Sequence, residues 1–313
     1  MVELMVAMTI SLLLMAGVVQ IFSGSKASYI MQEGTSRLQE NARFALNRIS
    51  HDISAAGYLG CLDSANPYRP FTNTLDDKTA ASGYDFAKPL YGTEGTGANG
   101  SDTISISRAG GVSGIRLTEG MAEPISDIRL NATDAAYQSL QQYDILVIGD
   151  CSTASVFMIT NNPQTSGGLI QHAIGVVATS GPNAGQSNID DDLGEAYGWE
   201  GASVAGAYRV GTTTYRLCTS TSGTGTSLYL NTCAAQNELV EGVQDMQFDY
   251  GVDTNTVAGA DRYLKADQVT AANQWNSVVS VRMTLTFDSI QTLAGAPLSK
   301  PFTTTVRVRN RGG

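Results

Sequence analysis

The sequence predicts an α+β protein with one long N-terminal helix followed by an antiparallel β-sheet head. Three observations carry this. Residues 2–22 form an apolar run with a single charge, Glu3. Residues 26–56 contain no proline and place Leu38, Ala42, Ala45, Leu46, Ile49 and Ile53 at spacings of three and four, the period of a helix that buries one face. Beyond residue 100 the chain breaks into short segments that alternate apolar and polar residues, the period of half-buried strands.

The apolar run reads VELMVAMTISLLLMAGVVQIF. At about twenty residues it makes a helix of roughly 30 Å, enough to cross a bilayer core. Plain anchors and signal sequences carry basic residues ahead of such a run. Here no Lys or Arg precedes it, and an acid sits inside it. A carboxylate costs about 2–3 kcal/mol at mid-bilayer, so Glu3 reads as a functional residue. In the second half, Arg37, Glu40, Arg43, Asn47, Arg48 and Asp52 fall mostly off the apolar stripe. Glu33 with Arg37, and Glu40 with Arg43, are spaced as helical ion pairs. One rod is expected over residues 2–56, near 80 Å at 1.5 Å per residue. Gly57 ends it as a C-terminal glycine, and Gly17, Gly24 and Gly34 are its weak points. Three parts follow: a membrane-spanning segment at 1–25, an amphipathic half of the same helix at 26–57, and a head at 58–313.

Within the head, residues 60–100 read as irregular, from Pro67, Pro70, Pro89 and the run GTEGTGANG. Residues 103–107 read as a strand. Residues 143–148 and 155–160 flank Gly149, Asp150 and Cys151 as a hairpin. Residues 169–177 form another apolar run, and 180–203 a long surface loop. A second hairpin is expected from 208–218 and 227–233 around Gly223, Thr224 and Gly225. Three strands follow. One puts Met246, Phe248 and Tyr250 on one face; the next does so with Val279, Val281, Met283, Leu285 and Phe287. The last aligns Phe302, Thr304, Val306 and Val308. Several strands after one helix give an α+β arrangement, with the sheet wrapped on the second half of the helix.

Net charge is −10. Up to residue 60 the acids Glu3, Glu33, Glu40 and Asp52 balance Lys26, Arg37, Arg43 and Arg48, so the head carries the deficit. An acidic head argues against nucleic acid and against docking on anionic lipid. Four cysteines, Cys61, Cys151, Cys218 and Cys233, all follow the apolar run without CxxC spacing. This suggests two disulfides in an oxidising compartment. Cys218 and Cys233 flank the second hairpin, which leaves Cys61 for Cys151. Nothing orders His51 or His172 into a catalytic triad, because no Gly-x-Ser-x-Gly elbow is present. The sequence also holds no HExxH, phosphate loop or zinc spacing. Asp190, Asp191 and Asp192 with Glu195, and Asp253 through Asp261, are acidic enough for calcium but complete no EF-hand pattern. No enzyme activity, cofactor or resident metal is expected.

Stretches near both ends of the chain carry a family resemblance. Val2-Glu3-Leu4-Met5-Val6-Ala7-Met8 resembles the start of a mature type IV pilin, Phe-Thr/Ser-Leu-Val/Ile-Glu-Leu followed by an apolar helix. On that alignment Met1 stands at the leucine, so the true start is expected upstream, behind a basic leader ending in Gly. Residues 239–253, LVEGVQDMQFDYGVD, resemble a segment of PilW-type minor pilins. So do Ala260-Asp261-Arg262-Tyr263, a strand expected over 275–282, and the closing 302–311. The resemblance implies a structural subunit that primes type IV pilus assembly at or near the tip. It implies one inner-membrane pass, a periplasmic head, and later an extracellular place on the pilus. Implied partners are the other minor pilins, the major pilin, the inner-membrane assembly machinery and a tip adhesin. For Glu3 it implies pairing with the N-terminal amine of a neighbouring pilin. Two alternatives stay open: a large minor pseudopilin of a type II secretion system, and a tip adhesin that binds a surface ligand through residues 62–200.

Overall fold

The structure, a computed structural model, describes residues 2–60, 62–63, 71–79, 84–86, 88–150, 152–198, 205–223, 225–255, 257, 259–293 and 296–309. Helix α1 covers Val2–Ser54. The first strands are β1 (Tyr58–Leu59), β2 (Leu62–Asp63), β3 (Phe71–Asn73), β4 (Leu90–Thr93), β5 (Thr103–Glu119) and β6 (Ile128–Leu130). After the short helix α2 (Ala135–Gln138) come β7 (Ile145–Gly149), β8 (Ala154–Met158), β9 (Leu169–Ile170), β10 (Gly206–Thr219), β11 (Thr226–Leu230) and β12 (Glu238–Glu241). The chain closes with β13 (Val243–Val252), β14 (Arg262–Leu264), helix α3 (Ala266–Ala271), β15 (Val278–Leu293) and β16 (Ala296–Arg307).

α1 runs unbroken for 53 residues. Its side chains are exposed through Lys26, and Ala27 is the first half-buried one. From there Gly34, Leu38, Ala42, Ala45, Ile49 and Ile53 are buried at helical spacing, because that stripe lies on β15, β16 and β12. The helix continues through all three glycines. Gly17 and Gly24 stand in open space, whereas a Cβ on Gly34 would sit 3.7 Å from the Ser289 side chain, so Gly34 marks where rod meets head. Gly57 stops the helix with φ +72° and gives its N–H to the Ser107 carbonyl at 3.0 Å. A residue with a Cβ resists that backbone angle. Glu33 pairs with Arg37 at 2.7 Å. The expected Glu40–Arg43 pair does not form. Asp52, expected off the buried stripe, lies fully inside.

Two main sheets build the head. The first runs β3-β8-β7-β10-β5-β6-β9, with β4 on β5, β11 on β10 and β12 on β11. The second runs β14-β13-β15-β16. The head is therefore antiparallel apart from one pair among the described residues: β3 runs parallel to β8. Strands β5 and β10 are the spine. Their lower halves, with β4 and β11, join β13 and β15 in one core with α1, built on Tyr215, Leu217, Phe248, Val281, Leu285 and Ile53. Their upper halves, with β7 and β8, separate two further cores, one around Leu146, Ile148 and Phe157, the other around Ile145, Val147 and Val156.

Several expectations are corrected. Residues 60–100 hold strands β3 and β4, and the 103–107 strand extends to Glu119. The 169–177 run contributes only Leu169–Ile170 to a named strand. Trp275–Ser277 is a 3-10 turn, and β15 begins at Val278. The turn forms because Trp275 is buried against Tyr250 and Tyr91, with ring centroids at 4.8 and 5.1 Å.

Candidate assembly interface

The exposed half of α1 is built by composition alone. Large apolar side chains from Val2 to Phe22 are between 51% (Val6) and 75% (Val2, Ile21) exposed, because no other described element covers them. This is the one helix among the described residues long and apolar enough to cross a membrane. Glu3 lies in its first turn, exposed on the surface of the helix. Thr9 folds its hydroxyl back on the Met5 and Val6 carbonyls at 3.0 and 2.8 Å, so this polar group is satisfied within the helix. An apolar cylinder with one carboxylate near its tip can exchange lipid for other apolar helices at little cost. The carboxylate is the group for which the surroundings matter.

The other end of α1 is fixed to the head by a charged clasp. Asp52 Oδ2 accepts a hydrogen bond from the Tyr215 hydroxyl at 2.7 Å. Its Oδ1 accepts from Arg108 Nη2 at 3.1 Å. Arg48, one turn earlier, approaches at 3.7 Å, and exposed His51 lies 3.3 Å away through Nδ1. Burial, together with the hydrogen bond to Asp52 and that carboxylate's charge, pushes the Tyr215 phenol well above its ordinary range, so it stays a neutral donor. Residues from α1, β5 and β10 thus meet at one carboxylate. Sequence spacing carried no sign of this, because Arg108 and Tyr215 lie far along the chain.

A second carboxylate missed by the sequence reading joins the two sheets. Asp102, at the foot of β5, accepts from the Phe248 N–H at 2.8 Å and the Gly95 N–H at 3.0 Å. Burial pushes its carboxyl up, and the two amide donors pull against that. Cys218 and Cys233 are joined in a disulfide with Cα atoms 5.8 Å apart. It ties β10 to the end of the β11 hairpin. The other expected pair, Cys61 with Cys151, lies outside the described residues. His172 is buried, with Nε2 3.1 Å from the Ser126 carbonyl and its ring on Phe157. Three carboxylates of the acidic loops accept from nearby backbone. Asp190 accepts from the Asp192 N–H and Asp192 from the Gly194 N–H, while Asp261 accepts from the Thr254 N–H. Among the described residues no group of three or more His, Cys, Asp or Glu side chains is placed to hold a metal.

Residues 208–307 match the family model PilW, Type IV Pilus-assembly protein W. No curated protein and no solved structure gives a match. The matched stretch runs from β10 to the end of β16. It supplies Tyr215, Met246, Phe248, Val281, Met283, Leu285 and Phe287 to the core that holds α1. The upper part of the head, with β7, β8 and α2, lies outside it. The match falls on the part of the head that carries the apolar rod, and it supports a PilW-type type IV pilus-assembly protein.

Proposed function

We propose that the chain is a minor pilin, a structural subunit that primes type IV pilus assembly and sits in or near the tip. In this reading α1 is held in the inner membrane through residues 1–25, and residues 26–57 dock the rod on the head. The disulfide-stapled head, 58–313, lies in the periplasm until assembly moves it to the pilus. Its partners are other minor pilins, the major pilin, the inner-membrane machinery and a tip adhesin. One observation carries the reading: α1 is bare on every side up to Lys26 and buried on one face from Gly34 onward. A helix bare of its own head, with a carboxylate at the free end, is built to be surrounded by something else.

Glu3 sets the register of that surround. In lipid its carboxylate reaches the headgroups. In a filament core the charge needs a partner, and the N-terminal amine of a neighbouring subunit is a cation of the right sign. Apolar contacts alone are nearly equal at every axial offset, whereas a single ion pair forms at one. Glu3→Ala therefore leaves the protein folded and in the membrane but out of the pilus, and Glu3→Gln is impaired as well. The measurement compares sheared pili with membranes in cells lacking the wild-type gene. Normal incorporation of Glu3→Ala overturns the pairing role.

A further inference from the structure

The outer face of the lower head carries a recess that the assembly role does not use. Ile104, Tyr215 and Leu217 point into the core that holds α1. Successive strand residues alternate between faces, so Thr103, Ser105, Thr214 and Arg216 point the other way. Register aligns them across three strands. Thr93 of β4 stands opposite Thr103, and Ser105 opposite Thr214. Tyr215 stands opposite Ile104, which brings Arg216 alongside Thr103. Thr93, Thr103, Ser105, Thr214 and Arg216 are all half-buried, and they line a recess of about 810 Å³. Thr96 and Gly97, from the loop after β4, and the Cys218–Cys233 disulfide line it too. That volume is in the range of small-molecule sites, about 300–1,000 Å³.

The donors in this recess are unmatched. Arg216 is the one charged residue of the lining, and no carboxylate lines it. Elsewhere Arg37, Arg48, Arg108, Arg129 and Arg209 each face a carboxylate within ion-pair distance. Arg216 faces none among the described residues, and its Nε is buried with no hydrogen-bond partner among them. The hydroxyls are under-used as well. Thr93 bonds to Thr96 and, at 2.6 Å, to Thr103, while Ser105 bonds to Thr214 at 2.8 Å. Each hydroxyl brings one proton, so these five hydroxyls, sharing three bonds, keep two protons to give. A charged donor left buried and unmet is costly. In a chain of net charge −10, a recess with one cation and no acid selects for negative charge brought from outside. A guanidinium presents planar, paired N–H groups that match two oxygens of one carboxylate or phosphate. A cation or an uncharged ligand leaves that charge unanswered.

We propose that this recess binds an oxyanion, a phosphate or carboxylate carried by a small molecule, with Arg216 as its charge partner and the threonine and serine hydroxyls as further donors. The test uses the full chain in a non-ionic detergent at constant ionic strength. Inorganic phosphate is titrated in one arm and acetate in the other, and arginine Nε–H and backbone amide signals are followed by heteronuclear NMR. The Arg216 Nε–H signal and the Thr103 and Thr214 amides are expected to shift and saturate in the millimolar range. Arg43, exposed on α1, is expected to drift without saturating. Saturation by phosphate alone assigns a phosphoryl ligand, by acetate alone a carboxylate, and by both a site open to either; each upholds the site. Arg216→Gln is expected to abolish the amide response. Thr103→Glu sets a carboxylate beside the guanidinium and is expected to weaken binding at least about tenfold without lowering the melting temperature. No saturable shift with either anion up to about 50 mM, equal responses at Arg216 and Arg43, or a response unchanged in Thr103→Glu overturns the proposal.

Discussion

At Asp52 a carboxylate has been taken out of water and surrounded by donors, and such a group is stable only as part of its set. Tyr215 and Arg108 each spend a polar group on it. Asp52→Ala leaves the buried Tyr215 hydroxyl with Arg48 Nε alone, at 3.4 Å, and leaves Arg108, 28% exposed, to turn to water. Two hydrogen bonds to the carboxylate are lost at once, each worth about 1.5–3 kcal/mol. Tyr215→Phe removes one hydrogen bond to a charged acceptor, about 1.5–3 kcal/mol. Urea unfolding of the purified chain is expected to rank Asp52→Ala well below Tyr215→Phe, and Tyr215→Phe below wild type. Equal midpoints for wild type and Asp52→Ala would show that the clasp adds nothing. The sequence reading placed Asp52 off the stripe because it counts polarity by position and cannot see a partner 56 or 163 residues away.

At the scale of elements, the β10–β11 hairpin is held at both ends. The disulfide closes its base, and cross-linking a loop of about fifteen residues contributes about 3 kcal/mol in the chain-entropy model. Glu238, at the start of β12, holds the turn. Its Oε1 accepts from the Ser220 hydroxyl at 2.9 Å, and its Oε2 from the Thr221 N–H at 3.2 Å and the Thr221 hydroxyl. Burial pushes the carboxyl up, but the Ser227, Thr221 and Ser220 hydroxyls and the Thr221 N–H outweigh it and hold it down at about 2. An unfolded glutamate titrates near about 4.3. As pH falls the unfolded chain takes the proton first, so the stabilisation is complete above about pH 4.5 and lost as pH falls towards 2. The stability difference between wild type and Glu238→Gln is expected to shrink over that window. Asp102 and Asp144 are shifted upward by burial and titrate in the opposite sense, which is why the difference between the two proteins is the quantity to measure. A gap that stays constant from pH 6 to 2.5 refutes the role given to Glu238. Much of this architecture was legible. α1, β13 and β15 each repeat one period long enough to exclude the other, and the β7–β8 and β10–β11 hairpins are marked by the turn residues between their strands. The upper half of β5 was not, because Ala109-Gly110-Gly111-Val112-Ser113-Gly114 reads as a loop. It is a strand because β10 pairs with it, and Gly114 is needed because the Tyr208 ring passes 2.6 Å from where its Cβ would stand.

For the whole molecule, the matched family segment and the folding unit differ in extent. Residues 208–307 hold β13, β15 and β16, but the apolar face of that sheet is closed by α1 and by the lower half of β5. Leu38, Ile49 and Ile53 are 4%, 0% and 0% exposed. Burying a side chain of that size contributes about 1.5–3 kcal/mol, so these three supply roughly 5–9 kcal/mol, comparable to the 5–15 kcal/mol that holds a typical domain together. Residues 2–25, by contrast, bury nothing in the head. Two truncations therefore separate sharply. A chain beginning at residue 26 keeps the clasp and the whole buried stripe, and is expected to be soluble without detergent and to melt cooperatively with Trp275 buried. A chain beginning at residue 58 loses Leu38 through Ile53 and leaves Arg108 without Asp52. It is expected to expose its core, bind a hydrophobic dye and lose the sharp transition. The 208–307 fragment alone, lacking β5 as well, is expected to fare no better. Tryptophan fluorescence and calorimetry on the three shortened chains test this. A cooperative transition in the chain beginning at residue 58 would show that the second half of α1 rests on a head that is already complete.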